Sequence, residues 1–313
     1  MDAAQIRRLR SFNRTVSQRI GALNDRFLDR RRPLGEARLL YEIGHAGAEV
    51  RALRARLELD SGYVSRLLRS LERQGLVRGA ASAGDGRVRR VRLTAKGRRE
   101  VAELDRRAEA FARSVLSPLS AAQQDRLIAA MSEVERLMRA SAVRIAAEPA
   151  DSADARWCVA QYFRELGRRF DAGFDPARSI SADAHELTPP MGVFLIARLG
   201  GQPIGCGALK AKERRIGEVK RMWVAAEARG LGIGARLLAA LEAEARKFGI
   251  EMLRLETNRS LVEAQALYRR AGYREVAPFN DEPYAHHWFE KSPIWGSRGR
   301  LASSRPGGEA FTG

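Results

Sequence analysis

Between a run of β-branched and aromatic residues at 219–224 (VKRMWV) and the helical recurrence of Leu237, Leu238, Leu241, Ala245 and Phe248 lies the hexapeptide Arg229-Gly230-Leu231-Gly232-Ile233-Gly234. A strand, a glycine turn and an amphipathic helix in that order commit this part of the chain to an α/β layer. Glycines let the backbone pass close to a ligand, and the helix start offers unpaired N–H groups at the positive end of a dipole. An anion at the turn is therefore expected, although a ligand-free Gly-rich connection would read the same way from the hexapeptide alone.

Spacing narrows the anion. A dinucleotide fingerprint needs G-x-G-x-x-G, whereas these glycines alternate, and a P-loop needs Lys followed by Ser or Thr. What fits is R-x-x-G-x-G at Arg229, Gly232 and Gly234. Downstream come Thr257-Asn258, Ala264, Leu267-Tyr268 and Ala271-Gly272-Tyr273. Together these resemble the GNAT family of N-acetyltransferases. Around them, strands are expected at 143–147, 193–199, 204–211, 218–224, 252–257, 273–279 and 286–291, with helices at 154–170 and 261–270 and a loop at 171–191. The resemblance implies an α/β GNAT fold with a mixed central sheet over residues 141–292, and acetyl-CoA as the acetyl donor. It also implies cofactor contacts from Arg229, Gly230, Leu231, Gly232, Ile233 and Gly234. Asn258 would touch the cofactor arm, Met222 and Val224 would pair their backbones with it, and the Val224 N–H would polarise the thioester carbonyl. Tyr268 would be the general acid near the sulfur.

An alkylamine has a pKa near 10.4, so something must take its proton before it attacks a thioester. Glu218, at the start of the central strand, is the candidate base, directly or through water; an exposed strand Glu is the plainer reading. The loop 171–191 and the last hairpin, with Asn280, Asp281, Tyr284 and His286, are expected to line an amine pocket whose acids favour a cation. Cys158 and Cys206 are too few and too far apart for a disulfide framework or zinc site, and read as buried small hydrophobes. His286 and His287 are neighbours on a strand and point to opposite faces, so no metal is expected.

The remaining half is set apart by charge. Residues 1–140 carry 30 Lys or Arg against 17 Asp or Glu, and residues 141–313 carry 26 against 21, which together give the net +18. A basic excess concentrated in a patterned segment points to a polyanion, nucleic acid before membrane, although Arg on solvated faces accounts for part of it. Ile6, Leu9, Val16, Ile20, Leu23 and Phe27 form one apolar helical stripe, and Leu127, Ile128, Met131, Val134, Leu137 and Met138 form another. The two either pack on each other or build a dimer interface. Between them, helices at 49–59 and 62–74 are joined by a turn with an N-cap at Asp60-Ser61. Strands at 76–78 and 88–93 then flank the loop 79–87.

Four motifs follow in order: Ser61-Gly62-Tyr63-Val64-Ser65-Arg66, Leu71-Glu72-Arg73-Gln74-Gly75-Leu76-Val77, Asp85-Gly86-Arg87 and Leu93-Thr94-Ala95-Lys96-Gly97. Over residues 1–140 the chain thereby resembles the MarR family of transcription regulators, which implies a mainly α winged helix-turn-helix. By that resemblance Ser61, Tyr63, Ser65, Arg66 and Arg69 would face the major groove of double-stranded DNA. Arg87, partnered by Asp85, would enter the minor groove, and Arg89 would lie beside it. A homodimer would read a pseudo-palindromic operator.

The expected organisation is two domains, 1–140 and 141–292, with a Gly-, Ser- and Arg-rich disordered tail at 293–313. No run approaches the roughly 18 apolar residues of a membrane span, and the first ten residues lack a signal-peptide core, so a cytoplasmic protein is expected. A regulator that also acetylates an amine is the leading reading. A regulator whose second half only senses acyl-CoA, and a DNA-tethered acetyltransferase of protein lysines, stand beside it.

Overall fold

A computed structural model describes residues 2–19, 32–80, 90–180, 182–212 and 215–292. It falls into two compact units, Met1–Val134 and Glu135–Gly313.

The first unit opens with α1 (Ala3–Arg19), followed by α2 (Leu34–Ile43), β1 (Ala48–Glu49), α3 (Val50–Leu57) and α4 (Ser61–Arg73). Then come β2 (Val77–Ala80), β3 (Arg90–Leu93), α5 (Ala95–Leu116) and α6 (Ala121–Ala142), whose last turns belong to the second unit. Asp60 caps α4 by accepting the Tyr63 N–H at 2.8 Å, and a left-handed Gly75 ends the segment that follows it. The apolar stripe of α4, Val64, Leu67, Leu68 and Leu71, is buried against Leu39, Leu40, Ile43 and Leu53, each side chain contributing about 1.5–3 kcal/mol. β1, β3 and β2 form a small antiparallel sheet in that order. Two helices, a capped turn and a hairpin are thus what the sequence predicts, with three additions: α2, α5 and the short β1. The loop 79–87 lies largely outside the described residues, and with it Asp85, Arg87 and Arg89; so do Ile20, Leu23 and Phe27 of the first stripe and the tail 293–313.

The second unit continues with β4 (Arg144–Ala147), α7 (Ala153–Arg169), β5 (Gly192–Leu199), β6 (Gln202–Ala211) and β7 (Ile216–Val224). It ends with α8 (Ile233–Lys247), β8 (Met252–Thr257), α9 (Val262–Arg270), β9 (Arg274–Val276) and β10 (His287–Lys291). The sheet order is β4-β5-β6-β7-β8-β10-β9, antiparallel throughout except for β7 against β8. That parallel pairing covers only Ile216–Glu218 with Met252–Arg254. From Val219 onward the two strands part, and a cleft opens in the middle of the sheet. One face of the sheet buries Leu195, Leu209, Val219, Leu253, Leu255 and Phe289 under α8 and α9. The other buries Phe194, Ile196, Cys206, Ala208 and Trp223 under α7. Cys158 and Cys206 are buried and free. No helix among the described residues is long and apolar enough to cross a membrane.

The loop expected at 171–191 contains two short 3-10 turns, Pro176–Arg178 and Ala184–Leu187. The strand expected at 273–279 is only three residues long, because Pro278 cannot donate to a ladder.

Candidate functional site

Gly230 and Gly232 take φ of 77° and 71°, and Gly232 is the N-cap of α8 with no side chain to satisfy the first N–H groups. A Cβ on Gly234 would sit 3.2 Å from Leu267 Cδ2, so this glycine lets α9 approach α8. The turn borders a cavity of about 490 Å³ lined by Met222, Val224, Arg229, Gly230, Gly232, Ile233 and Gly234. Uncapped helix N–H groups and left-handed glycines beside a cavity of that volume fit a pyrophosphate carrying a longer arm. The Leu231 side chain is buried in the core with Ile233. At the mouth Arg229 pairs with both oxygens of Glu165 at 2.6 Å, and Glu165 also accepts from Trp223 Nε1 at 3.0 Å.

A second, smaller cavity of about 90 Å³ lies under α7 and is walled by Ser179, Ile180, Lys220, Arg221, Glu256, Glu282 and Tyr284. The two cavities share Tyr162, Leu166, Met222, Leu261, Ala264 and Tyr268. Those six residues mark where the contents of one cavity meet the contents of the other. Tyr268 is 5% exposed, and burial pushes its hydroxyl well above the usual phenol range, with Tyr162 and Glu256 adding to the shift. A phenol in that state stays protonated at neutral pH.

Some of the expected site residues line the cavities and others do not. Glu218 lines neither cavity. It lies in the last register position where β7 and β8 are still paired, opposite Arg254, just before the cleft opens. The carboxylates on the smaller cavity's wall are Glu256 and Glu282; Glu256 is paired with Lys220, and Lys220 Nζ in turn stands 3.6 Å from Glu218 Oε2. The alternation of β8, with buried Leu253 and Leu255 on either side of Arg254 and before Glu256, is the sequence signal that would have put Glu256 on the cleft face. Asn258 lines the smaller cavity, where its Nδ2 donates to the Tyr284 carbonyl at 2.7 Å and its Oδ1 accepts from Ser260 N and Oγ. Of the last hairpin, Tyr284 lines the smaller cavity, together with Glu282 and Ala285, whereas Asn280, Asp281 and His286 do not. Asn280 instead accepts from Trp288 Nε1 at 2.8 Å.

In the first unit Ser61, Arg66 and Arg69 are exposed on the outer face of α4 and Ser65 is half-buried beside them. Tyr63 departs from the expected outward role. Its ring lies under the Arg66 guanidinium at 5.7 Å, and its hydroxyl fills the space that a Cβ on Gly35 would need.

Comparison with known proteins follows the same division. The family model described as Acetyltransferase (GNAT) family matches residues 159–273, and the model described as MarR family matches residues 31–88. The chain is 40% identical over 127 residues to an IAA acetyltransferase of Azospirillum brasilense, covering 40% of this chain and 82% of that protein. It is 30% identical over 152 residues to an uncharacterised N-acetyltransferase of Schizosaccharomyces pombe, covering 47% of this chain and 92% of that protein. Among solved structures, a GNAT-family acetyltransferase of Staphylococcus aureus aligns over 48% of this chain and 99% of its own, at 19% identity and a TM-score of 0.43.

Proposed function

Through its second half this chain belongs to the GNAT family of acetyl-CoA-dependent N-acetyltransferases, with a MarR-family half before it, and we propose that it has two activities. One is acetyl transfer to a small amine, and the other is binding of a pseudo-palindromic DNA operator as a homodimer. Support for the first comes above all from Tyr268, a buried phenol in the wall common to both cavities.

When bound, acetyl-CoA supplies the acetyl group as a thioester. The turn at 229–234 and the start of α8 hold the pyrophosphate, and Met222 and Val224 flank the arm along the larger cavity. The amine enters through the smaller cavity. Its proton passes to Glu256, steadied by Lys220, with Glu218 behind that pair; the proton that the departing sulfur needs comes from Tyr268 Oη. The DNA-binding reading rests on the exposed Ser61, Arg66 and Arg69 of α4 and on the basic excess of that half.

Calorimetry with acetyl-CoA and thiol release over a panel of amines test the enzyme; no acetyl-CoA binding would sink it. An electrophoretic shift with the protein's own upstream DNA, resistant to nonspecific competitor and lost in Arg66→Ala, tests the regulator. A shift equally removed by any DNA would leave only a nonspecific tether.

A further inference from the structure

The turn beside the larger cavity is built from the residues with the greatest backbone freedom, and little packs against it. Gly230 and Gly232 both take positive φ, and a Cβ placed on either would meet no atom within 4 Å. Leu231 and Ile233 are pinned in the core on either side of Gly232, but Gly230 has no side chain to pin. A turn left free at that point would have to be ordered by its ligand, at a cost in affinity.

Two arginines hold it instead. Arg136, near the end of α6, donates from Nη1 to the Gly230 carbonyl at 2.6 Å. Arg236, in the first turn of α8, donates from Nη1 to the Ala140 carbonyl at 2.5 Å and from Nη2 to the Val143 carbonyl at 2.6 Å. One arginine therefore reaches from α6 to the turn, and the other reaches back to α6 from the helix that the turn starts. The Ala140 carbonyl is among the last four of α6, which have no partner inside the helix, and a cation with several N–H groups suits that position. The end of α6 is itself fixed, because Val143 is buried in the core of the second unit and Ala140 packs against that core. The boundary between the units falls between Val134 and Glu135, so every group in this brace belongs to the second. Neither arginine is among the residues that wall the larger cavity. Arg136, Ala140 and Val143 also precede residues 159–273, and so lie outside the stretch that the GNAT family model covers.

We propose that the end of α6 is part of the acetyl-CoA site. Arg136 and Arg236 are positioning residues: they hold the 229–234 turn ready for the pyrophosphate and touch no part of the cofactor themselves. This deepens the acetyltransferase reading and rests on it.

The test compares two donors, acetyl-CoA and acetyl-pantetheine, the second of which keeps the thioester and the arm but has no pyrophosphate. Thiol release with the best amine of the panel is measured for the native protein and for Arg136→Ala, Arg236→Ala and Arg139→Ala. Both bracing arginines are exposed, so their loss leaves the core intact. Arg139, also in the last turn of α6, controls for removing a positive charge near an anionic ligand. Arg136→Ala and Arg236→Ala should each raise KM for acetyl-CoA, and its calorimetric Kd, about 3- to 10-fold, the worth of one hydrogen bond. The kcat and the KM for the amine should not change. The kcat/KM for acetyl-pantetheine should also stay constant, because that donor does not use the turn, and Arg139→Ala should affect neither donor. Arg136→Lys, which keeps a donor for the Gly230 carbonyl, should recover part of the acetyl-CoA affinity. An acetyl-CoA KM unchanged in both bracing variants, a loss shared equally by acetyl-pantetheine, or an equal loss in Arg139→Ala overturns the proposal while leaving the acetyltransferase intact. Failure of the native protein to bind acetyl-CoA removes both.

Discussion

At the scale of single residues, the chemistry depends on two side chains with opposite tasks, and their environments separate them. Tyr268 is held protonated by burial, so Tyr268→Phe should lower kcat by about 10²-fold or more. Acetyl-CoA affinity, measured by calorimetry, should change little. Retention of full kcat would hand the proton to another group. The same burial has a thermodynamic consequence. Tyr268 and Tyr273 are both pushed above the ordinary phenol value of about 10, chiefly by desolvation. Their contribution is fully present below pH 10 and is lost as pH rises above it, because the unfolded chain then releases protons that the folded chain retains. Each adds about 1.4 kcal/mol of lost stability per pH unit in that window. Denaturant titrations between pH 10 and 11, where the unfolded phenol goes from about half to mostly ionised, should show the loss become smaller by about 1 kcal/mol in Tyr268→Phe. The carboxylates make a further distinction. Glu256→Gln should depress turnover more at pH 7 than at pH 9, where more of the amine is already neutral. Glu218→Gln should do the same more weakly, since Glu218 acts through Lys220; a larger effect at Glu218 would restore it as the base.

Elements were readable from sequence where one periodicity governed them. α4 declares itself by its Asp60 cap and by Val64, Leu67, Leu68 and Leu71, and β8 by strict alternation. α5 and α2 did not stand out. α5 buries only Gly97, Val101 and Leu104 over 22 residues, so its apolar stripe is too thin to register. α2 buries Glu36 among its apolar residues, and that acid breaks the pattern although Arg32, Ser70 and Gln74 satisfy it. Position within the cleft was also hidden. Glu218 and Glu256 are both acids on neighbouring strands, and only the point where β7 and β8 part decides which one reaches the cavity. Where α5 begins, the constraint is severe. A Cβ on Gly97 would lie 2.0 Å from the Leu76 carbonyl oxygen, a backbone atom that cannot move without shifting the hairpin. Gly97→Ala should therefore cost about 3 kcal/mol, at the upper end of overpacking. Thermal melting should show the first unit losing roughly 10 °C or more. A Tm within a degree or two of the parent would mean that α5 slides freely on β2.

For the whole molecule, the decisive feature is apolar surface that the described residues of one copy leave exposed. Ile6, Leu9, Phe12 and Val16 of α1 are 36–55% exposed, and Ile128, Met131, Leu137 and Met138 of α6 are 49–59% exposed. Neither helix buries a single residue. Of the two readings open from the sequence, the exposure of the described part of both stripes favours the dimer interface proposed above. Exposed stripes of this extent mark association surfaces, and a second copy of the chain offers the same stripes in return. Ile128→Asp with Met131→Asp would place two charges on that surface without touching any core residue. If the proposed homodimer uses this surface, light scattering should report a dimer for the parent and a monomer for the variant, with acetyl-CoA binding retained as a check on folding. Operator affinity should fall by about 10²- to 10⁴-fold, because two linked half-site contacts become one. The residual binding should show about half the parent's salt slope, since half as many phosphates are neutralised. A variant that stays dimeric would place the interface elsewhere. One that becomes monomeric yet holds the operator with the parent's affinity and salt slope would mean that a single α4 with its own hairpin suffices to read the DNA.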